Sequence, residues 1–266
     1  MSFYGCSFIY DGIPSEEFGV FVYDFKNVSQ SDGTLGTEIS ISEDRINRLS
    51  TPLHYGIIDN SPLEFDLVFG SLEPLDRHDV AAIGGWLTGH SSYKKFVMVQ
   101  SDMELYHYKA IITGIDIVPW SGKPIAFKAH IRCDSPYAYM ELNNYSASIK
   151  SGIDAKFDNR SNVNRYYLPK RFEISCVTSG LSSNGLIIKN TTTGEEYKFT
   201  GLPKSNTVTS IVIDCNRRII TSSTLSNPYD YFNFVFPKFI RGLNTLSCSS
   251  PVSIEISRDF PMNIGS

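Results

Sequence analysis

Five histidines, five cysteines and a few neighbouring carboxylates are the side chains with which this chain could do chemistry. The histidines are His54, His78, His90, His107 and His130. No two of them make the His-x-x-x-His pair that puts two imidazoles on one helical face around a metal. His107 and His130 fall in strand-like segments with mixed neighbours, where an imidazole is ordinarily solvated or satisfied in a core. The cysteines, Cys6, Cys133, Cys176, Cys215 and Cys248, are odd in number, far apart and without a Cys-x-x-Cys. They read as buried free thiols rather than zinc ligands, which fits assembly in a reducing cytosol. Asp214-Cys215 has no neighbouring histidine to activate the thiol. A Gly-x-Ser-x-Gly nucleophile elbow is absent from the sequence. Gly84, Gly85 and Gly89 lie in and after a helix-like stretch with no Lys-Ser/Thr following, so they make no phosphate loop. Glu16-Glu17 and Glu195-Glu196 are adjacent on turn-like or edge-like segments, whereas a glycosidase pair must converge across a cleft. The expectation is a protein with no catalytic residues, no metal and no cofactor.

The elements that would have to position any site are mostly strands. Aromatic and β-branched residues are plentiful, with 15 Tyr and 17 Phe. The clearest strand is Ile125 to Cys133. Ile125, Phe127, Ala129, Ile131 and Cys133 take one face; Ala126, Lys128, His130 and Arg132 take the other. Period two with one apolar face predicts a strand half-buried on a core. It stops at Asp134-Ser135-Pro136, since proline cannot donate to a ladder and holds the preceding residue extended. After Tyr139 the composition loosens through Asn143-Asn144-Tyr145-Ser146-Ala147-Ser148, which reads as a seam. Two domains follow from length and seam together, 1–140 and 141–266.

In the first domain Ser2 to Ile9 and Phe18 to Phe25 read as strands joined at the Asp11-Gly12 turn. Leu63–Phe69, Tyr93–Val99 and Leu105–Pro119 read as further strands. Arg77 to Thr88 is the convincing helix, with Asp76 as N-cap, Asp79 near the positive end of the dipole and Gly89 as its stop. Val80, Ile83, Gly84 and Leu87 share a stripe, and Trp86 adds bulk for packing. Gly84 and Gly85 each cost about 1 kcal/mol against alanine inside a helix, so a close neighbour is expected to compensate. Lys26 to Ser50 is polar, and too long for a plain loop in a compact domain. It reads either as a mobile surface loop or as an extended arm that gains order by pairing with a neighbour's strand edge; the alternating Glu38-Ile39-Ser40-Ile41-Ser42, with Ile46 and Leu49 beyond, favours the arm.

From Ser148 onward, strand signals recur at short intervals: Ser148–Asn159, Arg171–Val177, Gly185–Asn190, Glu195–Thr200, Thr207–Asp214, Arg218–Ser222, Tyr231–Phe236 and Val252–Ser257. Many short strands without a helix pattern predict a β-sandwich or jelly roll. Tyr166, Tyr167, Tyr197, Tyr229 and Tyr231 are the rings on which such a domain could stack a sugar.

Charge is unevenly spread. Up to Met140 there are 10 Lys+Arg against 18 Asp+Glu, and from Glu141 onward 14 against 10, giving −8 and +4. Neither half has a basic run that would neutralise phosphates, so specific nucleic-acid binding is disfavoured. The first ten residues read as no signal peptide, and no 18-residue apolar run exists to cross a membrane.

Phe3-Tyr4-Gly5-Cys6-Ser7-Phe8, Asp11-Gly12 and Ser15-Glu16-Glu17-Phe18-Gly19 together resemble the opening of siphophage distal tail proteins. Trp86-Leu87-Thr88-Gly89, Tyr93-Lys94-Lys95 and Tyr108-Lys109-Ala110 resemble that family's helix and following strands. Cys133-Asp134-Ser135-Pro136-Tyr137-Ala138 is similar to its domain junction. Ile213-Asp214-Cys215 and Phe236 to Asn244 are similar to its C-terminal domain. The resemblance implies a hexameric hub ring at the tail tip, in the virion. That ring would lie between a tail-tube protein on one side and a baseplate or fibre protein on the other. It implies a ring-forming N-terminal domain and a galectin-like C-terminal domain, and the −8 of the first domain would then suit a lumen through which DNA passes without sticking. A second expectation is a carbohydrate-binding module that recognises a host cell-wall saccharide; no carbohydrate-binding insertion is visible.

Overall fold

The alternation is realised from Phe127 to Cys133: Phe127, Ala129, Ile131 and Cys133 are buried, while Lys128, His130 and Arg132 face outward; Ile125 and Ala126 are both half-buried. The computed structural model describes residues 7–24, 40–46, 51–58, 61–120, 123–150, 152–163 and 165–264. Within it two compact units are distinguished, Met1–Tyr139 with Met262–Ser266, and Met140–Pro261.

The first unit contains β1 (Ser7–Tyr10), β2 (Ile13–Pro14), β3 (Phe21–Asp24), β4 (Ser40–Asp44), β5 (Leu53–Ile58) and β6 (Glu64–Gly70). Helix α1 (Arg77–Thr88), β7 (Lys94–Val99), β8 (Tyr106–Trp120) and β9 (Lys123–Cys133) follow. Antiparallel pairing sets the order β2-β1-β7-β8-β9-β6-β3. Asp11 and Gly12 both take positive φ, 52° and 82°, as the tight turn between β1 and β2 requires. Gly70 is imposed by packing: a Cβ there would stand 2.3 Å from the Ile125 carbonyl oxygen.

Helix α1 begins at a complete capping box. Asp76 accepts from the backbone of His78 and Asp79 at 2.7 and 2.8 Å, and Asp79 accepts from the Asp76 N–H at 3.1 Å. These bonds satisfy donors that a helix start leaves bare. Ile83, Trp86 and Leu87 are buried, and Val80 packs on the same core. The Trp86 ring stacks on Phe8 at 5.6 Å and on Phe18 at 4.6 Å, and its Nε1 donates to the Tyr10 carbonyl at 3.1 Å. Two details differ from expectation. Gly89 ends the helix at φ −71°, bonded to Gly85, and is not left-handed. Among the described residues nothing stands within 4 Å of a Cβ built at Gly84 or Gly85, so no close neighbour there explains them.

Phe18 to Val20 is not strand. Ser15–Phe18 forms a short 3-10 turn closed by left-handed Gly19, and this turn carries Phe18 onto Trp86. The two units divide between Tyr139 and Met140, and Asn143 to Ser148 is strand and not loose chain, because β10 (Ala138–Ile149) runs straight through it. Its polar residues are those of a strand with much solvated surface. Arg258 donates to the Asn143 carbonyl at 2.6 Å, and Asn144 donates to Glu255 at 2.7 Å.

The second unit holds most of β10 and then β11 (Ala155–Asn159), β12 (Phe172–Val177), β13 (Leu186–Asn190) and β14 (Glu195–Phe199). β15 (Val208–Asp214), β16 (Ile219–Ser222), β17 (Gly242–Cys248) and β18 (Val252–Met262) complete it. One sheet runs β16-β15-β12-β18-β10 and the other β11-β17-β13-β14. Rings from both sheets meet between them: Phe157 lies 6.2 Å from Phe260, Phe172 lies 6.2 Å from Tyr197, and Phe239 wedges 4.6 Å from Phe157. This is a β-sandwich.

The expected strand Tyr231–Phe236 is irregular, because Asn233 does another job. Its side chain accepts from the Lys198 N–H and donates to the Glu196 carbonyl, while its own N–H bonds Lys198 O. It therefore covers the edge of β14 as a strand would. β17 was hidden because a buried polar residue, Asn244, occupies an inward position beside Leu246. That side chain accepts from Ile240 N–H at 3.1 Å and donates to the Ile240 and Gly242 carbonyls at 2.8 and 2.9 Å. The run Phe236 to Arg241 is thus a loop tied to the start of β17 by one asparagine, with Phe239 driven into the core.

Candidate assembly surfaces

The arm region contains a hairpin. β4 pairs antiparallel with β5, with Ser40 opposite Ile58 and Asp44 opposite Leu53, and the two form a sheet of their own. Ile41 is 59% exposed and Tyr55 62%, and Ile46 and Leu53 are also open. A hairpin of two strands is marginal in water by itself and normally needs a third strand or a packed face. Glu38, Ile39 and Leu49 lie outside the described residues. Sequence reasoning missed β5, although Leu53-His54-Tyr55-Gly56-Ile57-Ile58 is rich in β-formers and bounded by Pro52 and Asp59-Asn60.

The residues of the junction motif lie close together. Ser135 accepts the Leu63 N–H at its carbonyl, Cys133 donates to Leu63, and Asp134 donates to Lys109. The Tyr139 hydroxyl donates to the Asp134 carboxylate at 3.0 Å, and the Lys109 ammonium sits 3.2 Å from the centre of the same ring. Ser135 Oγ accepts from the Tyr137 N–H across Pro136. The motif is a turn of the first unit at the end of β9, held to β8 and to Leu63.

On the outward face of β6, β9 and β8 the register lines up charges that sequence reasoning left as scattered. Asp66 stands opposite His130 and Glu64 opposite Arg132. A bulge between Ile112 and Gly114 shifts β8, so that Gly114 faces His130 and Asp116 faces Lys128. His130 Nδ1 lies 2.6 Å from Asp66 and its Nε2 3.2 Å from Asp116, while Lys128 meets Asp66 at 2.7 Å. A hollow of about 360 Å³ opens here, lined by Glu64, Asp66, Thr113, His130 and Arg132 among others. The Asp66 hydrogen bond raises the His130 value, partial burial opposes it, and Asp116 adds to the rise. Burial works upward on Asp66, but bonds from Lys128 and His130 outweigh it and hold its carboxyl below the usual range. With a carboxylate on each ring nitrogen, this imidazole has no lone pair free to take a proton from a nucleophile.

The thiols point the same way. Burial, with the Asp134 charge behind it, pushes Cys133 up to about 12; burial then Cys248 pushes Cys176 up to about 11. Cys215 is raised as well, by burial first and then Asp214. Such thiols are poor nucleophiles. Among the described residues no three His, Cys, Asp or Glu side chains are grouped to hold a metal, and no helix is long and apolar enough to cross a membrane. Of the tyrosines considered for sugar stacking, Tyr167 and Tyr197 are in the core. Tyr229 is bonded through its hydroxyl to Ile220 and Arg218, and Tyr166 carries the Lys238 ammonium 4.4 Å over its ring.

What the fold and these surfaces define is a β-rich protein with apolar strand surface open for contact. The chain belongs to the phage tail proteins: the model of a phage tail protein N-terminal domain matches residues 3–135, and that of a phage tail C-terminal domain matches residues 137–258. Its fold is shared with the Dit protein of phage SPP1, described as a paradigm of the hub adsorption apparatus in phages infecting Gram-positive bacteria. The TM-score is 0.68 at 11% identity, over 96% of this chain and 98% of that one. A chain of the phage p2 baseplate, in its activated conformation with Sr, matches at 12% identity over 90% of each chain with a TM-score of 0.47. No curated protein matches the sequence. The resemblance to siphophage distal tail proteins agrees with the family and with the fold.

Proposed function

We propose that this tail protein is a distal hub component that works by binding copies of itself, without catalysis, in a hexameric ring at the virion tail tip. The observation that carries this is the β4–β5 hairpin, a separate two-stranded sheet with Ile41, Leu53 and Tyr55 open to solvent. In a closed ring each contact is heterologous, so one surface docks on a different surface of the next copy. The hairpin, whose first strand begins at Ser40 and is followed by Ile46, supplies one such surface, and Glu38, Ile39 and Leu49, from the same arm of the sequence, are assigned to that contact. Residues 1–140 build the ring and 141–266 form the outer domain. A tail-tube protein would stack on one side and a baseplate or fibre protein on the other, after assembly in the host cytoplasm. The net −8 of the first domain suits a lumen through which DNA slides without adhering. Sedimentation of the purified chain tests the reading. A ring runs several times heavier than 29.8 kDa. A protein that stays a single chain at high concentration overturns it.

A further inference from the structure

His130 holds more bonds than a neutral imidazole can supply. Asp66 on β6 lies 2.6 Å from Nδ1, and Asp116 on β8 lies 3.2 Å from Nε2. A carboxylate only accepts, so both bonds exist together only while both ring nitrogens carry protons. The ring also lies against Gly114, where a Cβ would sit 3.5 Å from His130 Cδ2. The bulge at Ile112–Gly114 brings that glycine and then Asp116 into place. The groups facing the imidazole are Glu64 and Asp66 from β6, Thr113 and Asp116 from β8, and Lys128 and Arg132 from β9 itself. Glu64 is held by Arg132 at 2.9 Å, and Thr113 donates to the His130 carbonyl at 3.2 Å.

We propose that Asp66, His130 and Asp116 form a pH-sensitive clasp that ties β6 to β8 across β9 and opens on the β8 side when the imidazole loses a proton. The proton that leaves is the one on Nε2. Its bond is the longer, and its acceptor, Asp116, has 68% of its side chain exposed against 20% for Asp66. Lys128 further fixes Asp66, so the Nδ1 bond survives. Once Nε2 is bare, its lone pair faces a carboxylate and the contact turns repulsive. Asp116 runs directly into Ile117 and Val118, both exposed at the end of the β8–β9 hairpin. The clasp therefore governs how firmly that apolar tip is held.

The direction with pH follows from the two shifts. His130 is raised, so its contribution is whole below the ordinary imidazole value and is lost as pH climbs through its folded value. Asp66 is lowered, so its contribution is whole above the ordinary carboxylate value and is lost as pH falls through its folded value. The clasp is closed between these limits.

The experiment is amide hydrogen exchange of the full chain from pH 5 to 9, corrected for intrinsic rates, with the His130 titration followed by exchange at its C2 carbon. In the wild type, His130 titrates above the ordinary 6.5, and protection over 113–118 falls about two- to fivefold through the same pH range. Asp116→Asn lowers that titration and flattens the protection profile. His130→Gln, which cannot titrate, flattens it too. Wild-type protection that does not respond to pH overturns the clasp, as does an unaltered response in both variants.

Discussion

Replacing Ile41 and Tyr55 together with aspartate is the most direct test of how this protein makes contact. More than half of each side chain is open, 59% and 62%. Covering that surface in a neighbour's interface is worth about 1–2 kcal/mol per residue. Losing both therefore costs about 2–4 kcal/mol per interface, which weakens each contact roughly thirtyfold to several hundredfold. Because neither side chain is in a core, the single chain should keep its circular dichroism and its unfolding midpoint within a few degrees. Sedimentation velocity over a range of concentrations is the assay: the wild type forms a large species and the double variant dissociates to 29.8 kDa chains. A variant that assembles as tightly as the wild type would refute the role given to the hairpin. Loss of assembly accompanied by loss of fold would place these residues inside a core, against the observed exposure.

Three further outcomes follow. Gly84→Ala and Gly85→Ala should each stabilise the chain by about 1 kcal/mol, read as a rise in thermal midpoint, since the added methyl meets none of the described residues and a helix favours alanine. Asn244→Ala should destabilise the second unit by about 1–2 kcal/mol in urea titration, because it strands the Ile240 N–H and two carbonyls in a half-buried turn. Cys133 should resist iodoacetamide at pH 8 in the native protein and react on unfolding, as mass spectrometry of the peptides will show; its thiol, pushed up to about 12, carries almost no thiolate there.

The helix was legible because its signals are local. A capping aspartate, a stripe at 80, 83, 84 and 87, and a terminal glycine set its limits at Arg77–Thr88. The strands of β9, β12 and β18 were legible because one face is buried, which forces alternation. β10 was not, since a strand with solvated flanks needs no apolar face and its asparagines and serines read as linker. β17 was lost to Asn244, whose inward position is tolerated only because the loop before it supplies three partners. Phe236 and its neighbours read as strand from composition, yet Asn233 uses that stretch to cover the edge of β14.

The residue sequence by itself determined that the protein is β-rich, that one helix packs on the first sheet, that its thiols are far apart and that its order of motifs is that of a tail protein. These are properties of short runs of chain, where spacing of two or 3.6 residues dictates which side chains share a face. Only the tertiary structure decided that the arm region folds back as a separate hairpin, and that His130 is gripped by carboxylates 64 residues before it and 14 residues before it. Strand register across a sheet is set by how distant segments pair and by a single bulge, and no local pattern in the sequence carries that information.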